Sequence, residues 1–175
     1  VVHNAEDEAE AVVETLIAHP AVRRVNFTGS TRVGRIIAEL CARNLKKCLL
    51  ELGGKAPLIV LPDADLDAAV DAAAFGAFFH QGQICMSTER LIVHEDVAEA
   101  FIDGLRIHAE RLIVGDPARP ESRIGPMISE QAAQRVKALV DDAVARGARL
   151  VTGGRLNGAY LDATILDNVE PDMRV

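Results

Sequence analysis

VRRVNFTGSTRVG, Val22 to Gly34, passes from an apolar strand over Val22–Phe27 through glycine and hydroxyl residues into a helix over Arg32–Arg43. Small residues between a strand and a helix leave the first N–H groups of the helix open to an anion such as a phosphate. Ser30 can also offer its hydroxyl. The same letters describe an ordinary capped strand-to-helix turn, and the spacing is not the GxGxxG of a dinucleotide fingerprint. Both readings stay open at this point.

Outward from this turn the two periods keep alternating. Ala5–Ala18 has apolar positions at helical spacing, with acidic residues in its first turn and Pro20 after its end. Lys46–Leu52 is a short apolar strand stopped by Gly53 and Gly54. Ala56–Leu61 is another strand, and the alanine-rich stretch after it is helical, with Asp63 or Asp65 as its cap. Then come a strand at Arg90–Glu95, a helix at Ala98–Leu112, a loop VGDPARPESRIGP, a helix at Glu130–Arg146 and a strand in ARLVTGG. The pattern predicts an α/β protein with a largely parallel sheet. The glycine pair marks a boundary between two units, residues 1–53 and 54–175.

The composition narrows the function classes. Nineteen Lys and Arg against 26 Asp and Glu give a net charge of −7, which argues against nucleic acid or an anionic membrane surface as the main partner. No apolar run is long enough to span a bilayer. At 49% hydrophobic residues, a sizeable core is expected. The three cysteines, Cys41, Cys48 and Cys85, are odd in number and lack CxxC spacing, so neither a disulfide framework nor a metal site is expected. Reduced thiols fit a cytoplasmic protein. The first residue is Val1 within an apolar stretch, and the chain reads as a piece of something longer.

Two further stretches can carry chemistry. In LELGGK, Leu50 to Lys55, Glu51 stands in an apolar strand beside a double glycine. It is either a solvated strand-end carboxylate or a general base whose proton affinity an apolar site raises. In FFHQGQICMSTER, Phe78 to Arg90, Cys85 sits among glycine, glutamine and small polar residues. A free thiol, with a pKa of about 8.5, is only about 3% thiolate at pH 7. Lowering that value by about two units, about 2.7 kcal/mol, makes most of it nucleophilic. Cys85 is either an inert buried thiol or a reachable one. His80 invites a Cys–His pair, but five residues of separation is no evidence of contact. Cys41, in a helix, and Cys48, in a strand, read as core, and His3, His19, His94 and His108 are given no role.

Taken in order, FTGSTRVG, LELGGKAPLIVLPDADL, GQICMSTERLIVHE, VGDP and GPMIS strongly resemble the aldehyde dehydrogenase superfamily, from about Val22 to the end. The 34-residue separation of Glu51 and Cys85 is also similar to the family's. HQGQICMSTER and AHPAVRRVNFTGSTRVGR look most like its bacterial aromatic-aldehyde members, of the salicylaldehyde and vanillin kind. The resemblance implies the end of a Rossmann-type cofactor domain (1–53) followed by most of an α/β catalytic domain (54–175). It implies Cys85 as nucleophile and Glu51 as general base. It places Gly29 and Ser30 by the pyrophosphate of NAD, with NADP left open, and counts Gly34 among the cofactor-binding residues. Leu52 would meet the nicotinamide amide through its backbone, and Arg135 would lie near a ribose. A small-molecule aldehyde as substrate, a homo-oligomer in the full-length enzyme and an inactive isolated piece also follow. The family's upstream asparagine and adenosine-binding residues have no counterpart here, and position 80 is His where many members have Asn. Two rivals remain: a thiol acyltransferase or hydrolase using Cys85 with His80, and a non-catalytic member of the family.

Overall fold

The computed structural model describes all 175 residues, the side chain of Glu6 excepted. The chain divides into two compact units, Val1–Gly54 and Lys55–Val175.

The first unit is built on two parallel strands, β1 (Arg24–Gly29) and β2 (Lys47–Leu52), in register from Arg24 opposite Lys47 to Gly29 opposite Leu52. Two helices accompany them, α1 (Ala9–Ala18), preceded by a 3-10 turn at Glu6–Glu8, and α2 (Thr31–Arg43). Successive strand side chains point to opposite faces. Val25, Phe27, Cys48 and Leu50 therefore meet Ile17 of α1 and the Ile37–Cys41 stripe of α2. Leu49 and Glu51 are on the other face and are exposed. Helix α2 starts where Ser30 accepts a hydrogen bond from the Val33 N–H at 3.3 Å. It stops at Asn44, whose amide donates to the Leu40 carbonyl at 2.9 Å.

The second unit opens with β3 (Ala56–Val60) and α3 (Leu66–Phe78), then β4 (Thr88–Val93) parallel to β3, and α4 (Glu95–Glu110). Asp65 rather than Asp63 caps α3, accepting from the Ala68 N–H at 3.1 Å. His94, given no role from the sequence, caps α4 by accepting from the Asp96 N–H at 3.3 Å. Phe101, Leu105 and Ala109, four residues apart on one stripe of α4, pack with Val70 and Ala73 of α3 and Val60 of β3 into the core. Burying the larger of these side chains, Phe101, Leu105, Val70 and Val60, contributes about 1.5–3 kcal/mol each.

Beyond α5 (Glu130–Ala145) the parallel pattern breaks. Strand β5 (Arg149–Thr152) pairs antiparallel with β8 (Ile165–Asp167), and β6 (Leu156–Asn157) pairs antiparallel with β7 (Tyr160–Leu161). The expected largely parallel sheet thus holds for β1–β2 and β3–β4 but not for this tail. The reason lies at Gly153 and Gly154, with φ of 85° and 81°. A Cβ on Gly153 would stand 2.1 Å from the Ala163 carbonyl oxygen. Only glycine lets the chain double back this closely.

Candidate active site

Cys85 lies in the segment joining α3 to β4. After Phe78 the chain leaves the helix through three consecutive left-handed residues, His80 (φ 53°), Gln81 (φ 58°) and Gly82 (φ 69°). For His80 and Gln81 this conformation costs about 1–2 kcal/mol each, so something must hold them there. Ile84–Ser87 is then a tight turn, closed by the Ser87 N–H donating to the Ile84 carbonyl at 3.1 Å. Cys85 and Met86 occupy its two central positions, and both are exposed. Among the described residues neither of their N–H groups finds an acceptor. Ser87, in contrast, is only 2% exposed, and its hydroxyl has no protein partner among the described residues.

The holding groups are two carboxamides. Gln83 Oε1 accepts from the Ile128 N–H at 2.9 Å. With its oxygen towards Gly125, the Gln81 amide accepts from the Gly125 N–H at 2.9 Å and donates to the His80 carbonyl at 3.1 Å. That orientation forgoes a 3.5 Å contact from Gln83 Nε2, and two bonds of ordinary length outweigh one at the limit. Sequence reading gave these glutamines no role. The only signal was a pair of amides flanking Gly82, which does not name a partner more than forty residues away.

The strand-to-helix turn of the first unit gathers four of the residues singled out from the sequence. Gly29, the last residue of β1, stands opposite Leu52, the last of β2. Ser30 caps α2, and its oxygen serves Val33. The N–H groups of Thr31 and Arg32, in the first turn, have no intrahelical partner. Gly34 is buried, and a Cβ there would lie 2.7 Å from Leu52 Cδ2. The space beside Gly34 therefore belongs to Leu52, which lets α2 close on β2. Bare helix N–H groups at the carboxyl end of a parallel strand, with a hydroxyl among them, suit a dinucleotide phosphate.

Glu51, next to last in β2 and opposite Thr28, is exposed. It forms no ion pair or side-chain hydrogen bond among the described residues. Its surroundings in this chain are those of a solvated strand-end carboxylate, and the apolar site considered for it is not formed here. Arg135 is exposed on α5, in the other unit along with Cys85. The ring of His80 lies against that of Phe79, with centroids 6.4 Å apart. Lys55 and Glu89 pair at 2.5 Å, beside the register shift that lets Pro57 face Arg90. A cleft of about 660 Å³ between Ile113 and Asp162 contains none of these groups.

The other thiols are packed. Cys41 is 1% exposed, and burial first, then a hydrogen bond with Cys48, pushes its pKa above the ordinary thiol value.

A profile of the aldehyde dehydrogenase family matches residues 1–175, the whole chain. The chain belongs to the aldehyde dehydrogenase family. Over all 175 residues it is 63% identical to a vanillin dehydrogenase of Pseudomonas fluorescens, covering 36% of that protein. Over 174 residues, 99% of the chain, it is 52% identical to a salicylaldehyde dehydrogenase of Pseudomonas putida, again covering 36% of the relative. A crystal structure of a salicylaldehyde dehydrogenase from Pseudomonas putida G7, complexed with salicylaldehyde, superposes with a TM-score of 0.92 at 53% identity. That match covers 98% of this chain and 36% of the other. This aldehyde dehydrogenase chain thus spans about a third of the length of its relatives. Among its described residues, no helix is long and apolar enough to cross a membrane.

Proposed function

We propose that the longer protein carrying this chain oxidises an aldehyde, an aromatic one, to a carboxylate with NAD or NADP, through Cys85. The observation that carries the reading is the exposed thiol of Cys85, centred in a tight turn whose two central N–H groups find no acceptor among the described residues, in a chain 63% identical to a vanillin dehydrogenase. Residues 1–53 would contribute the end of the cofactor domain and 54–175 most of the thiol domain.

The chemistry assigns each group one task. The thiolate of Cys85 adds to the carbonyl carbon, and the oxygen takes up the negative charge. Free N–H groups such as those of Cys85 and Met86 are the donors an oxyanion requires. The first turn of α2, with Gly29 and Ser30, would hold the pyrophosphate, and the Leu52 backbone would face the nicotinamide amide. As the C=O re-forms, the C–H bond breaks and its electron pair leaves as hydride, for which bound NAD or NADP would supply the acceptor, and the acyl group remains on Cys85 as a thioester. Glu51 takes a proton from water as that water adds to the thioester; the C–S bond breaks, and carboxylate leaves. A base for water favours hydrolysis over transfer of the acyl group to coenzyme A. The rival with His80 as partner to Cys85 draws no support, because no hydrogen bond joins the two side chains among the described residues.

The test uses the full-length enzyme with NAD and vanillin or benzaldehyde. Glu51→Gln gives one equivalent of reduced cofactor per site in a burst, an acyl group on Cys85 by mass spectrometry, and steady turnover slower by about 10²–10⁴. Cys85→Ala gives neither burst nor adduct. Unchanged turnover in Glu51→Gln removes this carboxylate from the mechanism, and aldehyde oxidation by Cys85→Ala overturns the reading.

A further inference from the structure

We infer that Gln81 and Gln83 are positioning residues for Cys85: their side-chain oxygens, bonded to the N–H groups of Gly125 and Ile128, fix the left-handed segment His80–Gly82 that leads into the turn carrying the thiol. The inference rests on the proposed role of Cys85. Its basis is a complete account of the backbone donors from Arg123 to Ile128. Arg123 and Ile124 donate to the Ile113 carbonyl at 2.8 and 3.1 Å, and Met127 donates to the Ala159 carbonyl at 2.8 Å. Pro126 has no N–H. The two donors left, Gly125 and Ile128, are those the glutamines take, each at 2.9 Å.

This strip is itself anchored, since the Gly115 N–H donates to the Ile124 carbonyl at 2.9 Å and Val114 bridges Ile124. Ile124 is buried in the core with Phe101 and Leu105. The strip is therefore a fixed rail, and the amides are the two points at which the cysteine segment grips it. Locally, only the Gln83 N–H bond to the His80 carbonyl at 3.1 Å acts on the segment, and the left-handed region is uncommon for any residue with a Cβ, histidine being merely less rare there than glutamine. Without the grip the segment returns towards ordinary conformations, and Cys85 moves with it. Reacting groups misplaced by about 1 Å lose on the order of 10² in rate.

A paired substitution in the full-length enzyme separates this role from simple space filling. Gln83→Met keeps the length and removes the acceptor, whereas Gln83→Glu keeps an acceptor for the Ile128 N–H. Alkylation of Cys85 by iodoacetamide, followed by peptide mass spectrometry, and kcat/KM for aldehyde-dependent NAD reduction are measured for both. The expected result is that Q83M slows Cys85 alkylation and lowers kcat/KM by about 10²-fold, while Q83E keeps most of both. Parent-like behaviour in Q83M overturns the inference, as does an equal loss in Q83M and Q83E. If Q83M does not accumulate folded, Q81M, which removes the bonds to the Gly125 N–H and the His80 carbonyl, is compared with Q81E, which keeps the acceptor for Gly125, and the same outcomes decide. The alkylation rate reads the grip whether or not the parent oxidises aldehydes. A parent with no aldehyde-dependent NAD reduction contradicts the proposed function without touching this result.

Discussion

Cys41 and Cys85 carry the same thiol and are held in opposite ways. Cys41 sits on the buried stripe of α2, one turn after Ile37 and against Cys48. Regular helix and strand periods place it there, and its neighbours are core. Cys85 stands in a turn between two elements, exposed, and the bonds that shape the segment come from residues more than forty positions away. Periodic packing makes a thiol silent by surrounding it. To present one, the chain leaves its regular periods and needs support from elsewhere in the fold.

That contrast can be broken most directly by exchanging sulfur for oxygen at both positions. In the full-length enzyme, Cys85→Ser should abolish measurable turnover, since a hydroxyl without an adjacent base is a poor nucleophile. Its unfolding free energy should shift by no more than about 0.5 kcal/mol, as at other exposed sites. Cys41→Ser should do the reverse, losing about 1–3 kcal/mol by burying an unpaired hydroxyl while its folded fraction stays active. Denaturant titration and NAD reduction on the same samples decide it. If Cys41→Ser abolishes turnover without destabilising, the roles are misassigned.

Smaller effects sharpen the comparison. Gly82→Ala places a side chain at a φ of 69°, with the Ala77 carbonyl oxygen 3.1 Å from its Cβ. It should cost about 1–2 kcal/mol, seen as a lower denaturation midpoint. Ser30→Ala removes the cap of α2 and should cost about 1 kcal/mol, while Ser30→Gly costs only a few tenths. An equal loss in the two would mean that the hydroxyl, bonded to Val33, is not what stabilises the helix start.

The smallest effect is one of pH. The Cys41 pKa is raised in the fold above the ordinary thiol value, first by burial, so the folded state holds this proton more tightly than the unfolded one. The contribution is fully present below the pKa of the unfolded thiol and is lost as pH rises from there through the folded value. Denaturation midpoints of the parent should therefore fall more steeply above pH 9 than those of Cys41→Ser, measured side by side.

What the sequence disclosed follows the same division. The Ser30 turn, the Asp65 cap and the α2 stripe rest on residues within four positions of one another, and a reader of the chain can see all of them. The early start of β4 at Thr88 and the antiparallel return after Gly153 were less visible. Each depends on space or on a partner that no local pattern shows, the Ala163 carbonyl beneath Gly153 above all. The left-handed His80 and Gln81 lie at the far end of this scale, because glutamine does not signal that conformation and histidine is only mildly enriched in it. Glu51 drew notice as a carboxylate in an apolar strand. Strand alternation resolves that oddity, because the residue points to the open face of β2.

The central claim is that Cys85 alone of the three thiols is presented for reaction. The intact full-length enzyme, treated with iodoacetamide at neutral pH under native conditions and digested at intervals, tests it in one measurement. The account predicts that the peptide bearing Cys85 is labelled much faster than those bearing Cys41 or Cys48. Labelling of all three at one rate, or of Cys48 first, would contradict it.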